Sequence, residues 1–327
     1  MLLEVENLQT SFRTAAGFLR AVDGFSFHVA DGETVALVGE SGCGKTATAL
    51  SLLGLIPPSQ GVIAGTVRWR GTDLFALGDR AMRDIRGKEI GMIFQDPSAS
   101  LNPVLTIGHQ IGEILRRHQQ LDRRAATERA VDLLDLVGVP EPHQCLRDYP
   151  HRLSGGLQQR VTLALAMACN PKLLIADEPT SALDATIQAQ ILDLITRLKR
   201  STGVAILLIT HDIGVVAEIA DRVMVMFAGR KVEDAPVADL FRSPRHPYTL
   251  ALLAAAPRLQ RSSGNESNQG AGSPAFGASR ISASGCTYAA RCPLATDLCR
   301  TLAPVVETKA QQHFVACHFA SREASAA

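Results

Sequence analysis

A phosphate-handling loop is written into the first fifty residues. The apolar run Val35-Ala36-Leu37-Val38 enters Gly39-Glu40-Ser41-Gly42-Cys43-Gly44-Lys45-Thr46, and an Ala- and Leu-rich stretch follows from Ala47. Gly-x-x-x-x-Gly-Lys-Thr between a strand and a helix is the spacing of a phosphate-binding loop. Glycines allow backbone N–H groups to turn inward without Cβ clashes. The helix that follows adds the partial positive charge of its N-terminus. Lys45 is placed to reach terminal phosphates, and the Thr46 hydroxyl to ligate Mg²⁺. The candidate nucleotide cradle is therefore Gly39, Glu40, Ser41, Gly42, Cys43, Gly44, Lys45, Thr46 and Ala47.

Two further segments carry compatible chemistry. Leu173-Leu174-Ile175-Ala176 delivers Asp177 and Glu178 at the end of an apolar run. A carboxylate there can hold Mg²⁺, and the next one can polarise an attacking water. Leu153-Ser154-Gly155-Gly156-Leu157-Gln158-Gln159-Arg160 sets a helix-capping serine before a glycine pair. Ser154 caps a helix beginning near Leu157, and the glycines expose N–H groups at its positive end. That makes a second anion site, with Gln158 beside it, of the kind that serves a nucleotide held by another subunit.

The elements that must position these residues read as an α/β fold. Continuous apolar runs at 35–38, 173–176 and 205–209 fit strands buried on both faces of a parallel sheet. Helical patterns lie between them, including one from Thr46 to Leu55 stopped by Pro57 and Pro58. Over 97–167 strand signals fade and helical patterns dominate, as at 107–117 and 125–136, which predicts a helical insertion. The organisation expected is a nucleotide-binding domain over 1–257, a Gly/Ser/Ala/Asn-rich flexible linker over 258–284, and a cysteine-rich extension over 285–327.

Composition excludes other classes. Hydrophobic residues are 46% and charged residues 20% of 327, with net charge +1, so nothing marks a nucleic-acid binder. No apolar stretch approaches the ~18–20 residues needed to span a bilayer. The N-terminal residues carry no signal-peptide pattern, so a cytoplasmic location with reduced cysteines is expected.

In this order and spacing the motifs resemble those of ABC transporter ATPase subunits, over residues 1 to about 255. The resemblance identifies 39–46 as Walker A, 173–178 as Walker B and 153–160 as the ABC signature. It implies a RecA-like P-loop core of mostly parallel sheet, an antiparallel β subdomain and a helical subdomain. It also implies roles for single residues: Gln95 as the Q-loop glutamine near Mg²⁺ and water, Asp184 as the D-loop aspartate, His211 as the switch histidine on the γ-phosphate, and Phe12 as the aromatic stacking on adenine. Taken singly, Gln95 reads as a solvated loop residue, His211 as a helix cap and Asp184 as a helix start. The cofactors implied are ATP and Mg²⁺, with Thr46, Gln95 and Asp177 around the metal and Glu178 as the base. Two copies would sandwich ATP between Lys45 of one and Ser154, Gly155 and Gly156 of the other.

Ser243-Pro-Arg-His246-Pro-Tyr248-Thr-Leu250 and the segment Phe94-Gln-Asp-Pro-Ser-Ala-Ser-Leu-Asn-Pro103 resemble the dipeptide, oligopeptide and nickel importer branch. Cys286, Cys292, Cys299 and Cys317 resemble the cysteine region of that branch, implying a 4Fe–4S cluster; zinc and unligated thiols are the alternatives. The partners implied are a second, homologous but distinct ATPase chain, two transmembrane permeases and an extracytoplasmic solute-binding protein. The chain would then be peripheral on the cytoplasmic face of the inner membrane. Nickel, glutathione or another small solute is the alternative cargo, and a soluble ABC ATPase acting on DNA or ribosomes the alternative class.

Overall fold

The structure is a computed structural model and describes residues 1–181, 183–255, 285–310 and 312–320. The stretch expected to be a linker, 258–284, lies outside the described residues. The chain opens with an antiparallel hairpin, β1 (Leu3–Thr14) and β2 (Gly17–Val29), followed by β3 (Thr34–Val38) and α1 (Lys45–Leu52). Next come β4 (Gly61–Trp69), β5 (Thr72–Asp73), α2 (Asp79–Ile85) and β6 (Ile90–Ile93). Five helices then run without a strand: α3 (Pro97–Ser100), α4 (Ile107–Gln119), α5 (Arg123–Leu136), α6 (Pro142–Cys145) and α7 (Gly155–Met167).

The chain returns to the sheet with β7 (Leu173–Asp177), α8 (Ala185–Thr202), β8 (Ala205–Thr210), α9 (Ile213–Ile219) and β9 (Arg222–Phe227). It continues through β10 (Arg230–Pro236), α10 (Val237–Arg242) and α11 (Pro247–Ala255). The tail adds α12 (Asp297–Thr301), β11 (Glu307–Ala310) and β12 (His313–Val315).

Two sheets result. One is antiparallel, in the order β2-β1-β4-β5; the other has eight strands, in the order β11-β12-β10-β9-β3-β8-β7-β6. The pairings from β9 through β3, β8 and β7 to β6 are all parallel. Their strands β3, β7, β8 and β9 are buried at every residue. That is why they read as unbroken apolar runs: helices or the second sheet cover both faces. One core fills the space between the two sheets, where Phe25, Val29, Leu52, Val67 and Leu207 meet. Another joins the sheet to the helices, with Ile111, Leu133, Val161 and Leu208 among its members.

The order β3, loop, α1 places the loop 39–44 at the C-terminal edge of the central strand, where ligands bind in open parallel sheets. Thr210 ends the adjacent strand β8 and Asp177 the next strand, β7, at that same edge. Helix α1 stops earlier than the proline pair suggested. Gly54 (φ 57°) donates to Ser51 and Leu55 to Leu50, a Schellman motif that ends the helix before Pro57 is reached.

The tail is part of the main sheet. Strand β12 pairs with β10 through Glu233 with Val315 and Asp234 with Phe314. Buried Glu233 fastens three segments at once: its carboxylate accepts from the backbone N–H groups of Arg245 and His246 and meets His313 Nε2 at 2.8 Å.

Candidate functional site

The phosphate loop has a fixed shape. A side chain at Gly39 would strike the Met226 carbonyl and one at Gly44 the Ala21 carbonyl, and Gly44 (φ 113°) sits in left-handed space. Glycine is the residue that fits both demands. Cys43 is buried, and its carbonyl accepts from Gly229 N–H; burial pushes its thiol up. Lys45, 5% exposed, folds over the loop and donates to the carbonyls of Gly39 (2.8 Å) and Glu40 (3.0 Å). An ammonium held by two carbonyls of the loop is aimed at its concave face. Ser41, Gly42, Thr46 and Ala47 continue the same turn into α1.

Beside it, the Thr46 hydroxyl lies near Asp177 and draws its carboxyl down, against the larger effect of burial. Asp177 is 1% exposed, and its Oδ1 has no hydrogen-bond partner among the described residues. Burial, and then the charge of Glu178, push its carboxyl above the usual carboxylate range against the pull of Thr46 and Lys45. A buried carboxylate oxygen without a partner costs stability unless something satisfies it. A hydroxyl and an orphaned carboxylate side by side form an oxygen donor pair suited to Mg²⁺.

Glu178 follows in a left-handed conformation (φ 47°), its N–H bonded to the Ile209 carbonyl. Strain of this kind concentrates at functional sites. Its Oε2 accepts from Gln95 Nε2 at 3.1 Å, and its Oε1 stands 3.3 Å from His211 Nδ1. Three residues widely separated in sequence thus meet at the ends of β6, β7 and β8. His211 does not cap the following helix. Asp212 does, accepting from Gly214 and Val215, which frees the His211 ring for Glu178.

Ser154, Gly155 and Gly156 begin α7 with Ser154 capping Leu157 N–H at 3.4 Å; Ser154 and Gly155 are exposed. Gln158 bonds inward, to the Pro150 and Leu153 carbonyls. The side-chain hydrogen bonds of Ser154 and Gln158 stay within residues 150–158, and Gly156 packs beside Ile187. Asp184 N-caps α8 by accepting from Thr186 and Ile187. Phe12 is half-buried on β1, opposite Leu19 and Gly61, while Phe18 is 61% exposed with Arg13 over its ring.

Three contributors escaped the sequence reading. Buried Gln159 donates to the Pro179 carbonyl, tying the signature helix to the turn after Glu178. Tyr248, within the His-Pro-Tyr segment, accepts from the Glu40 N–H at 2.9 Å. Arg291, in the tail, forks onto the Glu40 carboxylate. The first had a signal, being a glutamine on the inner face of an apolar helix. The other two act across the whole chain: Tyr248 stood in a distinctive segment and Arg291 carried no signal, and nothing in the sequence pointed to their meeting at Glu40.

The four late cysteines gather near one another, and all seven cysteines are free thiols. The Cys286 N–H donates to the Cys299 carbonyl, and Cys286, Cys292 and Cys299 all act on the Cys317 thiol. Burial pushes Cys286, Cys292 and Cys317 up. Among the described residues no three His, Cys, Asp or Glu side chains form a group able to hold one metal ion. That holds for the zinc and the cluster readings alike; Cys317 Sγ instead accepts from Phe319 N–H.

Comparison with known proteins agrees with this geometry. The ABC transporter family pattern matches residues 22–181, and the oligopeptide/dipeptide transporter C-terminal region matches residues 232–299. The chain is 48% identical over 317 residues to the dipeptide transport ATP-binding protein DppD of Bacillus subtilis, covering 97% of this chain and 94% of that one. It is 49% identical over 327 residues to a peptide import ATP-binding protein of Brucella abortus, covering 97% and 96%. The oligopeptide transport ATP-binding protein OppD of Mycobacterium tuberculosis is 50% identical over 317 residues, which span 97% of this chain and 51% of OppD. Among solved structures, a dimeric ATP-binding cassette in a post-hydrolysis state with ADP and Pi superposes at TM-score 0.65 with 26% identity, covering 72% of this chain and 98% of that one. The cbiO1 subunit of a Clostridium perfringens ABC transporter complex reaches TM-score 0.61 at 26% identity, covering 74% and 90%.

Proposed function

The chain belongs to the ATP-binding subunits of ABC-type dipeptide and oligopeptide importers, and from that premise we propose how its residues bind and hydrolyse ATP to energise peptide uptake. The observation that carries the proposal is the meeting of Gln95, Glu178 and His211 beside the phosphate loop.

Lys45 exchanges its loop carbonyls for the β- and γ-phosphates, and the N–H groups of residues 39–47 cradle the rest. Thr46 and Asp177, with Gln95 close by, would hold Mg²⁺, which neutralises phosphate charge when bound. Glu178 accepts a proton from, or orients, the attacking water. Gln95 and His211 hold that carboxylate from either side, so Glu178 is aimed before water arrives. Phe12 is the proposed adenine contact.

Ser154 and Gly155 are exposed at the start of α7, which supports a closed state in which they and Gly156 complete a pocket held by a second ATPase chain. Asp184 lies at that same junction. The γ-phosphate then bridges two subunits, and its loss on hydrolysis lets them part. In this reading the second chain is a distinct homologue, two permeases lie above the pair, and a solute-binding protein delivers the cargo.

A groove of about 280 Å³ supports the permease contact. It is lined by Leu53, Met92, Phe94, Ile114 and Leu165 between the core and the helical segment, next to Gln95. Phe94 is 39% exposed there. A permease helix seated in this groove would push directly on the Q-loop. No helix among the described residues is long and apolar enough to cross a membrane, which suits a peripheral subunit docked on the cytoplasmic face.

The four late cysteines are the proposed ligands of a 4Fe–4S cluster, which spaces its thiolates more widely than a single ion does. Iron and sulfide analysis after anaerobic purification tests this; a colourless, iron-free protein with four titratable thiols would refute it. The function as a whole is tested by co-expression with the neighbouring permeases. Peptide uptake driven by Mg²⁺-dependent ATP hydrolysis is expected, and a fully active complex assembled without this chain would refute it.

A further inference from the structure

Glu40 is gripped from two directions by residues that ATP hydrolysis itself does not call for. Its N–H donates to the Tyr248 hydroxyl at 2.9 Å. Its carboxylate accepts both arms of the Arg291 guanidinium, at 2.8 and 2.9 Å. That guanidinium lies 5.5 Å over the Phe227 ring and 5.4 Å over the Tyr288 ring. Tyr248 and Tyr288 pack in turn against Phe227, with centroids 4.7 and 5.1 Å away. The fork is therefore held in its bonding plane by aromatic faces before it meets the carboxylate.

Glu40 has a liability in its position. It is an anion on the loop that must receive a polyanionic nucleotide, and like charges at close range oppose binding. Arg291 removes that repulsion. Paired with the fixed fork, Glu40 also anchors the start of the loop, whose carbonyl holds Lys45. Arg291 sits in the turn that carries Cys286 and Cys292, so the tail reaches the nucleotide loop directly.

We propose that Arg291 is a positioning residue for the nucleotide site: through Glu40 it neutralises and fixes the phosphate loop, so that full nucleotide affinity depends on the C-terminal tail. The proposal rests on the reading of residues 39–46 as the nucleotide site.

The test is MgADP titration of the full chain by calorimetry, which avoids turnover. Arg291→Gln is expected to weaken binding about tenfold. In the Glu40→Gln background the same change is expected to matter less than about threefold, since no carboxylate is left to neutralise. In ATPase assays Arg291→Gln should raise KM far more than it lowers kcat. Equal losses in both backgrounds, or wild-type affinity in Arg291→Gln, would overturn the proposal. Should Arg291→Gln lower the nucleotide-free thermal midpoint, Arg291→Lys carries the test. It keeps the charge without the fork, so about a threefold loss is expected, and wild-type affinity would count against the clamp. Failure of Lys45→Ala to weaken MgADP binding would instead refute the site assignment, separately from the clamp.

Discussion

The Glu178 carboxylate accepts a hydrogen bond from the Gln95 amide at 3.1 Å, although 83 residues separate them in the chain. Gln95 leaves the end of β6, and Glu178 the end of β7, its parallel neighbour. Sheet pairing therefore brings the segment beside the Phe94 groove, the proposed permease contact, next to Glu178, the proposed base.

Lys45 gives the simplest prediction. Its ammonium is buried, and its acceptors belong to the loop that the nucleotide occupies. Lys45→Ala should weaken nucleotide binding by about 3 kcal/mol, or roughly a hundredfold. Fluorescent-nucleotide titration measures it.

Asp177 should trade stability for function. Burial raises its carboxyl, so above the unfolded value of 3.8 the folded chain pays for its ionisation and the unfolded chain does not. Asp177→Asn removes that cost, and the nucleotide-free protein should gain stability at neutral pH. Mg²⁺-nucleotide should then stabilise the wild type, by about 2.7 kcal/mol at a hundredfold excess over Kd, and the variant hardly at all. Thermal denaturation with and without Mg²⁺-nucleotide shows both effects.

The buried His246 sets an acid limit. Burial brings its ring down to about 4, while Glu233 opposes the shift. Its Nδ1 accepts from Tyr248 N–H, so the neutral form is the one the fold uses. In the unfolded chain the ring binds a proton near its ordinary 6.5, so folding loses stability as pH falls from 6.5 to about 4. The full loss is about 3 kcal/mol. His246→Asn keeps an acceptor and does not titrate; its thermal midpoint should fall less steeply over that window.

Much of the candidate site could be read from the residues because its members stand at strand ends. An apolar run followed by Asp177 and Glu178 announces the strand and the carboxylates at its end. The run before Gly39 does the same for the loop; three of the five parallel strands, β3, β7 and β8, followed from such runs, while β6 and β9 did not. What stayed hidden depends on distance and on side-chain direction. Tyr248 was visible as part of a distinctive segment, but its hydroxyl meets Glu40 across 208 residues. Arg291 meets the same residue across 251. The joining of the tail to the main sheet was equally hidden, because β12 is three residues long and pairs with β10 at only two positions. The end of α1 was misjudged because Gly54 terminates the helix through its own backbone, ahead of the more conspicuous prolines.

Glu178 is proposed to perform the hydrolytic step within a nucleotide sandwich. Glu178→Gln keeps the size of the side chain and the Gln95 and His211 neighbours while removing the base. The decisive measurement is MgATP turnover of this variant, followed by sizing of the nucleotide-bound species together with its partner ATPase. Turnover is expected to fall at least about a hundredfold, with ATP retained in a closed dimer. Wild-type turnover, or loss of ATP binding with no dimer formed, would contradict it.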